Sequence, residues 1–213
     1  MEMKHPYQRT DAAAAKIIKK ISRQFRHNRL ALFDEMNIVE TRKHVHKLYK
    51  KIAKIIINEY EKVVPLLEED YHDMAFEMGF DGDVRDLDES FIEEFFEEYN
   101  PVTKYVFKNE LDRKESRLFE SLVAIPIDKT HSYTTAEKLL KRQIQQAGVD
   151  LEDAVAKTVY KDLGVKRVQW VAEHDEKTCG VCSELDGKIY DLKDIPPKQH
   201  YNCRCYLIPV RVK

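Results

Sequence analysis

Two cysteine pairs and one histidine near the C-terminal end most constrain what this chain of 213 residues can fold into. Cys179 and Cys182 form the first pair, Cys203 and Cys205 form the second, and His200 lies three positions before Cys203. Thiolate sulfur and imidazole nitrogen are the donors that zinc prefers in four-coordinate structural sites. The spacing therefore predicts a C-terminal module, from about residue 166 to residue 213, that folds around a structural zinc ion.

The same spacing indicates how the donors reach one ion. A tight turn through Gly180 lets the thiolates of Cys179 and Cys182 point at the same cation, with backbone amides directed at the sulfurs. The histidine and the second cysteine pair then supply the remaining ligands from a distant segment. Zinc takes four donors and this set offers five, so one is spare or hydrogen-bonds to a ligand. Four protein ligands leave no open position for a substrate, which favours a structural role.

Three other interpretations of the cysteines stay open. Two disulfides would close very small loops, and the N-terminal residues lack the apolar stretch of a secretory signal, so we expect a reducing cytoplasm. A redox-active pair is typical of a helix start after a strand, whereas the sequence after Cys182 predicts a hairpin. The third interpretation is buried thiols without a metal.

Apolar residues that recur three or four positions apart predict a helical protein before residue 164. The low content of 6 Gly and 7 Pro fits this prediction, and no apolar run is long enough to span a membrane. Gly148 and Gly164 are expected to end helices, Asp150 to cap the next one, and Pro65 to end or kink another. The predicted helices begin at Thr10 or Asp11 and then cover about 39–64, 66–78, 87–96, 101–124, 134–147 and 150–163.

Short apolar runs at 168–172 and 206–210 predict strands, and the pair Asp186-Gly187 predicts a tight hairpin turn within 185–190. The fold class is therefore α+β, with a mainly helical N-terminal body and a small C-terminal β-hairpin module held by the Cys/His site. We expect a helical, charge-segregated region over 1–130 and a second domain over 131–213.

The charges are strongly segregated although the net charge is only −2. Residues 1–64 hold 15 Lys and Arg against 7 Asp and Glu, whereas residues 68–98 hold 14 Asp and Glu against the single Arg85. Such segregation favours oriented contact with a charged partner, although solvated helix faces explain much of it. The sequence has no phosphate-binding glycine loop, no nucleophile elbow and no HExxH motif, so no catalytic residue is assigned and no enzyme is predicted.

The C-terminal pattern from 168 to 209 resembles the signature of phage Mu protein F-like minor head proteins. Residues 134–163 resemble the preceding part of that domain more loosely, and 1–130 only in being helical and charged. Family members commonly have proline directly after the histidine, where this chain has Tyr201. The matching positions are Trp170, Asp175, Thr178, Cys179, Cys182, the segment 185–188, Tyr190, Pro196, Pro197, His200, Asn202, Cys203, Arg204 and Cys205.

The resemblance implies a structural minor head protein of a phage or prophage, assembled in the host bacterial cytoplasm and present in the virion. Its implied partners are portal and capsid or scaffold proteins, in head morphogenesis and genome handling, with no membrane. The basic helices at 9–54 could contact DNA non-specifically. Asp175 is expected to form a side-chain turn that presents Cys179.

Two alternative functions follow from the same residues. A zinc module that binds nucleic acid outside a virion would need a basic surface, but residues 168–213 hold seven Lys and Arg against seven Asp and Glu. A metal-dependent nuclease would need paired carboxylates beside a histidine base, which the sequence does not show.

Overall fold

The computed structural model describes residues 7–30, 37–97, 107–124, 128–173, 178–198 and 200–211. Within these residues the chain forms seven helices and three strands, and the predicted α+β fold class is confirmed. The helices are α1 (Gln8–Leu30), α2 (Ile38–Tyr60), α3 (Val64–Glu77), α4 (Glu89–Glu97), α5 (Phe107–Val123), α6 (Lys129–Asp162) and α7 (Gly180–Leu185). The strands are β1 (Arg167–Val171), β2 (Ile189–Asp191) and β3 (Tyr206–Val210).

Helix α6 is the central element, because α1, α3, α5 and strand β3 all pack against it. Its partners present apolar stripes of helical period. In α1, for example, Ile17, Ile21 and Phe25 are spaced four apart and are fully buried. Burial of such stripes supplies the main stabilisation, at about 25 cal/mol per Å² of apolar surface removed from water.

The N-terminal helices begin and end close to where the sequence predicted. Helix α2 starts with a capping box, in which Asn37 accepts a hydrogen bond from the amide of Glu40 and the Glu40 side chain accepts one from the amide of Asn37. It ends at Tyr60, and Pro65 lies in the first turn of α3, where its missing N–H costs nothing. The predicted segment 101–106 and the break at Ile125-Pro126 lie outside the described residues.

The prediction of two helices separated near Gly148 was wrong. Helix α6 runs without interruption through both Gly148 and Asp150. A Cβ atom on Gly148 would lie 3.1 Å from the hydroxyl of Tyr60 and 3.4 Å from the Cβ of Thr10. The glycine therefore allows two neighbouring helices to approach closely. Asp150 does not cap a helix; its carboxylate accepts a hydrogen bond of 2.7 Å from Gln146.

The helix end predicted at Gly164 is confirmed. Gly164 follows α6 with a φ of 71°, a left-handed conformation that glycine adopts without a steric penalty. Strand β1 starts three residues later. The domain division near residue 130 stays a prediction.

The C-terminal strands form an antiparallel sheet in the order β2-β1-β3. The predicted hairpin turn was wrong, because Asp186-Gly187 joins helix α7 to β2 rather than one strand to the next. Gly187 has a φ of 74° and donates its amide to the carbonyl of Trp170, while Lys188 donates to Leu185. The turn therefore returns the chain from α7 to the edge of β1. Over the described residues, no helix has the length and apolar character needed to cross a bilayer.

A buried carboxylate joins α1, α3 and α6. Glu152 on α6 accepts hydrogen bonds from the amide of Tyr7 at 3.3 Å, the hydroxyl of Thr10 at 2.8 Å and the hydroxyl of Tyr71 at 3.3 Å. Burial raises the pKa of Glu152 to about 7, although these hydrogen bonds lower it in part. The protonated carboxyl is therefore the form that the fold favours below neutral pH.

This arrangement predicts a pH-dependent stability that a Glu152→Gln variant should lack. The unfolded chain has an ordinary Glu pKa of about 4.3, so between that value and about 7 the folded chain binds more protons. The free energy of unfolding of the wild type should therefore fall as pH rises, by roughly 3 kcal/mol from this group between pH 5 and 8. Urea denaturation at several pH values measures this, and Glu152→Gln should show a smaller decrease.

The matched control is Glu69→Gln, on the exposed side of α3. It should keep the wild-type dependence on pH. An identical slope in both variants would contradict the assignment of the pH dependence to Glu152.

Candidate metal centre

Helix α7 positions the first cysteine pair. Cys179 is its N-cap residue, and the amide of Cys182 donates to the Cys179 sulfur at 3.4 Å. The first helical turn through Gly180 thus places both thiols on one side with a backbone amide directed at sulfur. This geometry is the one that the spacing predicted, formed by a short helix.

The second cysteine pair comes from the loop that leads into β3. The amide of Cys203 donates to the carbonyl of His200 at 3.3 Å, and Asn202 between them adopts a left-handed φ of 56°. This turn brings the Cys203 sulfur within 3.6 Å of the Cys182 sulfur. Two thiolates at about 2.3 Å from one tetrahedral zinc lie about 3.8 Å apart, so the observed separation fits a shared ion.

The donor atoms form two overlapping groups of three. In each group the atoms lie within 4.8 Å of one another, and Cys182 belongs to both. One group also contains Cys179 and His200, which are partly exposed, and the other contains Cys203 and Cys205, which are buried. The structure therefore brings all five predicted ligands together around Cys182, and the choice of four among the five stays open.

His200 has one nitrogen near the main chain. Its Nδ1 lies 3.1 Å from the carbonyl oxygen of Tyr201. In the tautomer that donates this hydrogen bond, Nε2 keeps its lone pair and can bind a metal. The ring of Tyr201 lies 5.3 Å from the guanidinium carbon of Arg142 on α6. This contact fixes the loop to α6.

The pKa values of the cysteine thiols are shifted in different directions. A hydrogen bond from Cys205 lowers the pKa of Cys203 to about 5, and the positive charge of Lys198 acts in the same direction. Burial raises the pKa of Cys182 to about 12. The amide of Cys182 lowers the pKa of Cys179. Thiolates packed at these distances need protons or a cation between them, and a bound metal would displace those protons.

The other interpretations of the cysteines have different outcomes. All four are free thiols, so the structure contains neither disulfide. The hairpin predicted after the first cysteine pair, which had disfavoured a redox pair, is absent: a short helix follows Cys179. However, the strand before it ends at Val171, well upstream, and Cys182 contacts the sulfur of Cys203 in the buried group. Asp175 and its predicted turn lie outside the described residues.

A buried ion pair that sequence reasoning missed supports the second cysteine pair. Lys198 donates hydrogen bonds to the carbonyl of Cys205 and to the hydroxyl of Tyr7 at 2.9 Å, and its nitrogen lies 3.2 Å from a carboxylate oxygen of Asp153. The Tyr7 hydroxyl also lies 2.8 Å from the Cys205 carbonyl. The ammonium group is 5.5 Å from the centre of the Trp170 ring. The partners are distant in sequence, so no local pattern could have identified them.

Two exposed or partly buried contacts complete the attachment of this loop. Arg204 forms two hydrogen bonds of 2.7 Å with the carboxylate of Asp11 on α1. The amide of Asn202 donates to Gln146 on α6 at 2.6 Å. The loop of the second cysteine pair is therefore held by the helical body as well as by the sheet.

The buried pair predicts a large loss of stability in a Lys198→Met variant. Removing the ammonium takes the ion-pair partner away from the buried carboxylate of Asp153, which should lower the free energy of unfolding by about 3 to 5 kcal/mol. The control Arg204→Gln breaks a more exposed pair with Asp11 and should cost about 1 kcal/mol or less. Urea denaturation compares the two variants. Equal losses would show that the buried pair does not hold the module.

Comparison with known proteins agrees with the geometry. Residues 113–208 match the family model described as "Phage Mu protein F like protein". This segment contains most of α5, all of α6, strands β1 and β2, the first three residues of β3 and all five donors. An uncharacterized protein of Haemophilus influenzae is 25% identical over an alignment of 120 positions, which covers 51% of this chain and 27% of that protein. The match therefore spans about a quarter of that relative's length. No solved structure matches the chain. Over residues 113–208, this chain is therefore similar to the phage Mu protein F-like family.

Proposed function

We propose that this chain is a structural, non-enzymatic minor protein of a phage or prophage head, which binds portal and capsid or scaffold proteins during head morphogenesis. It would assemble in the host bacterial cytoplasm and remain in the virion. One observation carries the proposal: the segment that matches the family model, 113–208, also contains the five metal donors that the fold brings together.

The donor chemistry supports a structural metal rather than a catalytic one. Five donors meet around Cys182, which is enough to fill all four positions of a tetrahedral zinc ion. Cys182 and Cys203 are fully buried, so substrate would have little access to an ion beside them. Bound zinc supplies a cross-link between α7 and the loop before β3. Such sites contribute on the order of 10–16 kcal/mol of binding free energy to folding at neutral pH.

The small size of the sheet explains why a cross-link is useful there. Strand β2 has three residues and β3 has five. A sheet of this size buries little apolar surface of its own. Zinc bound by the cysteines and His200 would fix the loops on both sides of β2.

The charged surfaces support contact with partners in a head. Part of the basic surplus is used internally, since the buried carboxylate of Glu59 binds Lys16, Lys20 and Lys62 at 2.7 to 2.8 Å. Further lysines are exposed, and these could contact DNA phosphates without sequence preference or an acidic surface of the portal. They are Lys19, Lys43, Lys47, Lys50, Lys51 and Lys54.

The two alternative functions have less support. A nucleic-acid-binding zinc module is disfavoured by the equal numbers of positive and negative residues over 168–213. A nuclease would need carboxylates near the histidine, whereas the buried carboxylates of Glu152 and Asp153 are bound by Thr10, tyrosine hydroxyls and Lys198.

The proposed role predicts that the chain is a low-copy component of purified heads. Heads isolated from bacteria that produce the encoding phage should contain it by mass spectrometry, and the tagged chain should co-purify with portal protein. A tagged chain with Cys182→Ser should be recovered in heads at a lower level, because its module is less stable. Heads that lack the wild-type chain would contradict the proposal.

Specific, salt-resistant DNA binding would favour the zinc module, and DNA nicking with added divalent metal would favour the nuclease.

The metal part of the proposal predicts about one zinc ion per chain in protein purified reduced and without chelators. Cys182→Ser should lower this content and destabilise residues 168–213, while the helices keep their circular dichroism. Val181→Ala is the control, since this neighbouring side chain is exposed and carries no donor. Elemental analysis measures the zinc. Equal zinc content in the wild type and Cys182→Ser would contradict the assignment of a zinc site to these cysteines.

A further inference from the structure

A basic cleft lies at the C-terminal end of α6, outside the metal centre. It has a volume of about 600 Å³ and is lined by four lysines, Lys157, Lys161, Lys166 and Lys193. The first two are four positions apart and so lie on one face of α6. Lys166 precedes β1, and Lys193 follows β2. A hydrogen bond of 2.9 Å from the amide of Leu192 to the carbonyl of Lys166 holds these last two segments together.

The positive charge of this cleft is only partly neutralised. Asp191 is the one carboxylate among its lining residues, and its oxygen lies 3.4 Å from Arg167. Lys193 lies 3.9 Å from Asp194, in a pair that is mostly exposed. The C-terminal end of a helix favours lysine through its dipole, which accounts for Lys161 alone. Four ammonium groups around one cleft therefore exceed what the fold itself requires.

Lys157 and the apolar floor add a second observation. Lys157 is half-buried, and burial together with the nearby charge of Lys198 lowers its pKa, although Asp153 acts in the opposite direction. An anion in the cleft would stabilise its charged form. Among the apolar residues of the lining, Leu192 is partly exposed between the lysines, whereas Val165 is buried. The cleft therefore suits a ligand that alternates anionic groups with less polar ones.

We propose that this cleft binds the sugar-phosphate backbone of nucleic acid, with Lys157, Lys161, Lys166 and Lys193 contacting phosphates and Leu192 lying against a sugar. This site is separate from the basic face of α1 and α2. The charge count over residues 168–213 does not reveal it, because three of its four lysines precede residue 168. Such binding would be independent of sequence, since backbone contacts carry no base information.

Lysine chemistry and the proposed head role favour nucleic acid over an acidic protein segment. Arginine binds carboxylates through a planar, two-pronged contact, whereas lysine acts as a point charge and is a common phosphate ligand. The lining residues include no arginine. The preference for nucleic acid rests on the proposed function, because a phage head encloses a genome.

The test compares two double variants of the full chain. Lys161→Gln with Lys166→Gln removes two exposed cleft charges, and Lys138→Gln with Lys188→Gln removes two exposed charges elsewhere. Binding to a short fluorescent DNA duplex is measured by anisotropy over a series of salt concentrations. The cleft variant should bind several-fold more weakly at low salt. Its slope of log affinity against log salt should fall in magnitude by about 1.8, because two phosphate contacts are lost. The control should keep a slope close to that of the wild type.

Two outcomes would overturn the proposal. The first is equal slopes for the wild type, the cleft variant and the control, with matching urea midpoints that show all three fold. The second is tighter cleft-dependent binding of poly-glutamate than of DNA, which would indicate an acidic protein partner. Failure here is distinct from failure of the head role. If the chain is found in heads but the salt slopes are equal, only the cleft proposal fails. If the chain is absent from heads but binds DNA through the cleft, only the proposed head role fails.

Discussion

The buried ion pair of Asp153 and Lys198 joins the helical body to the C-terminal module, and the rest of the structure depends on this interaction. It lies between the central helix α6 and the segment before the second cysteine pair. Because Lys198 also donates to the carbonyl of Cys205 and to Tyr7, one cation connects the start of α1, the middle of the chain and its C-terminal module. A buried charge is costly without its partner, so these segments are bound to one arrangement.

The metal centre follows from that arrangement. Helix α7 and the loop before β3 are each too short to bury four thiols alone. The turn after α7 is hydrogen-bonded to β1 and the loop is hydrogen-bonded to α6, and these contacts help to bring the two together. Cys182 then contacts Cys203 at 3.6 Å and belongs to both groups of donors. The thiols lie so close that they share protons. A metal cation would stabilise the thiolates better than these shared protons do. The ion would therefore complete a site that the tertiary contacts have already assembled.

The charges and the family match support the role proposed for this chain in a phage head. The lysines that bind Glu59 stabilise the helical body, and other lysines are exposed on α1 and α2. The cleft at the end of α6 adds a second basic surface beside the module. Separate charged faces on one chain would suit the proposed contacts with several charged partners.

The amino-acid sequence alone determined the α+β class, most of the helices and the set of five donors, because apolar period and cysteine spacing are local signals. It also predicted the end of α6 at Gly164, where the conformation is set by the residue itself. Only the tertiary structure decided that α6 continues through Gly148. The glycine there makes room for the hydroxyl of Tyr60, which is distant in sequence, and does not end the helix. The sheet pairing and the contacts of Lys198 were likewise decided by packing, because their partners are far apart in sequence and a local pattern carries no information about them.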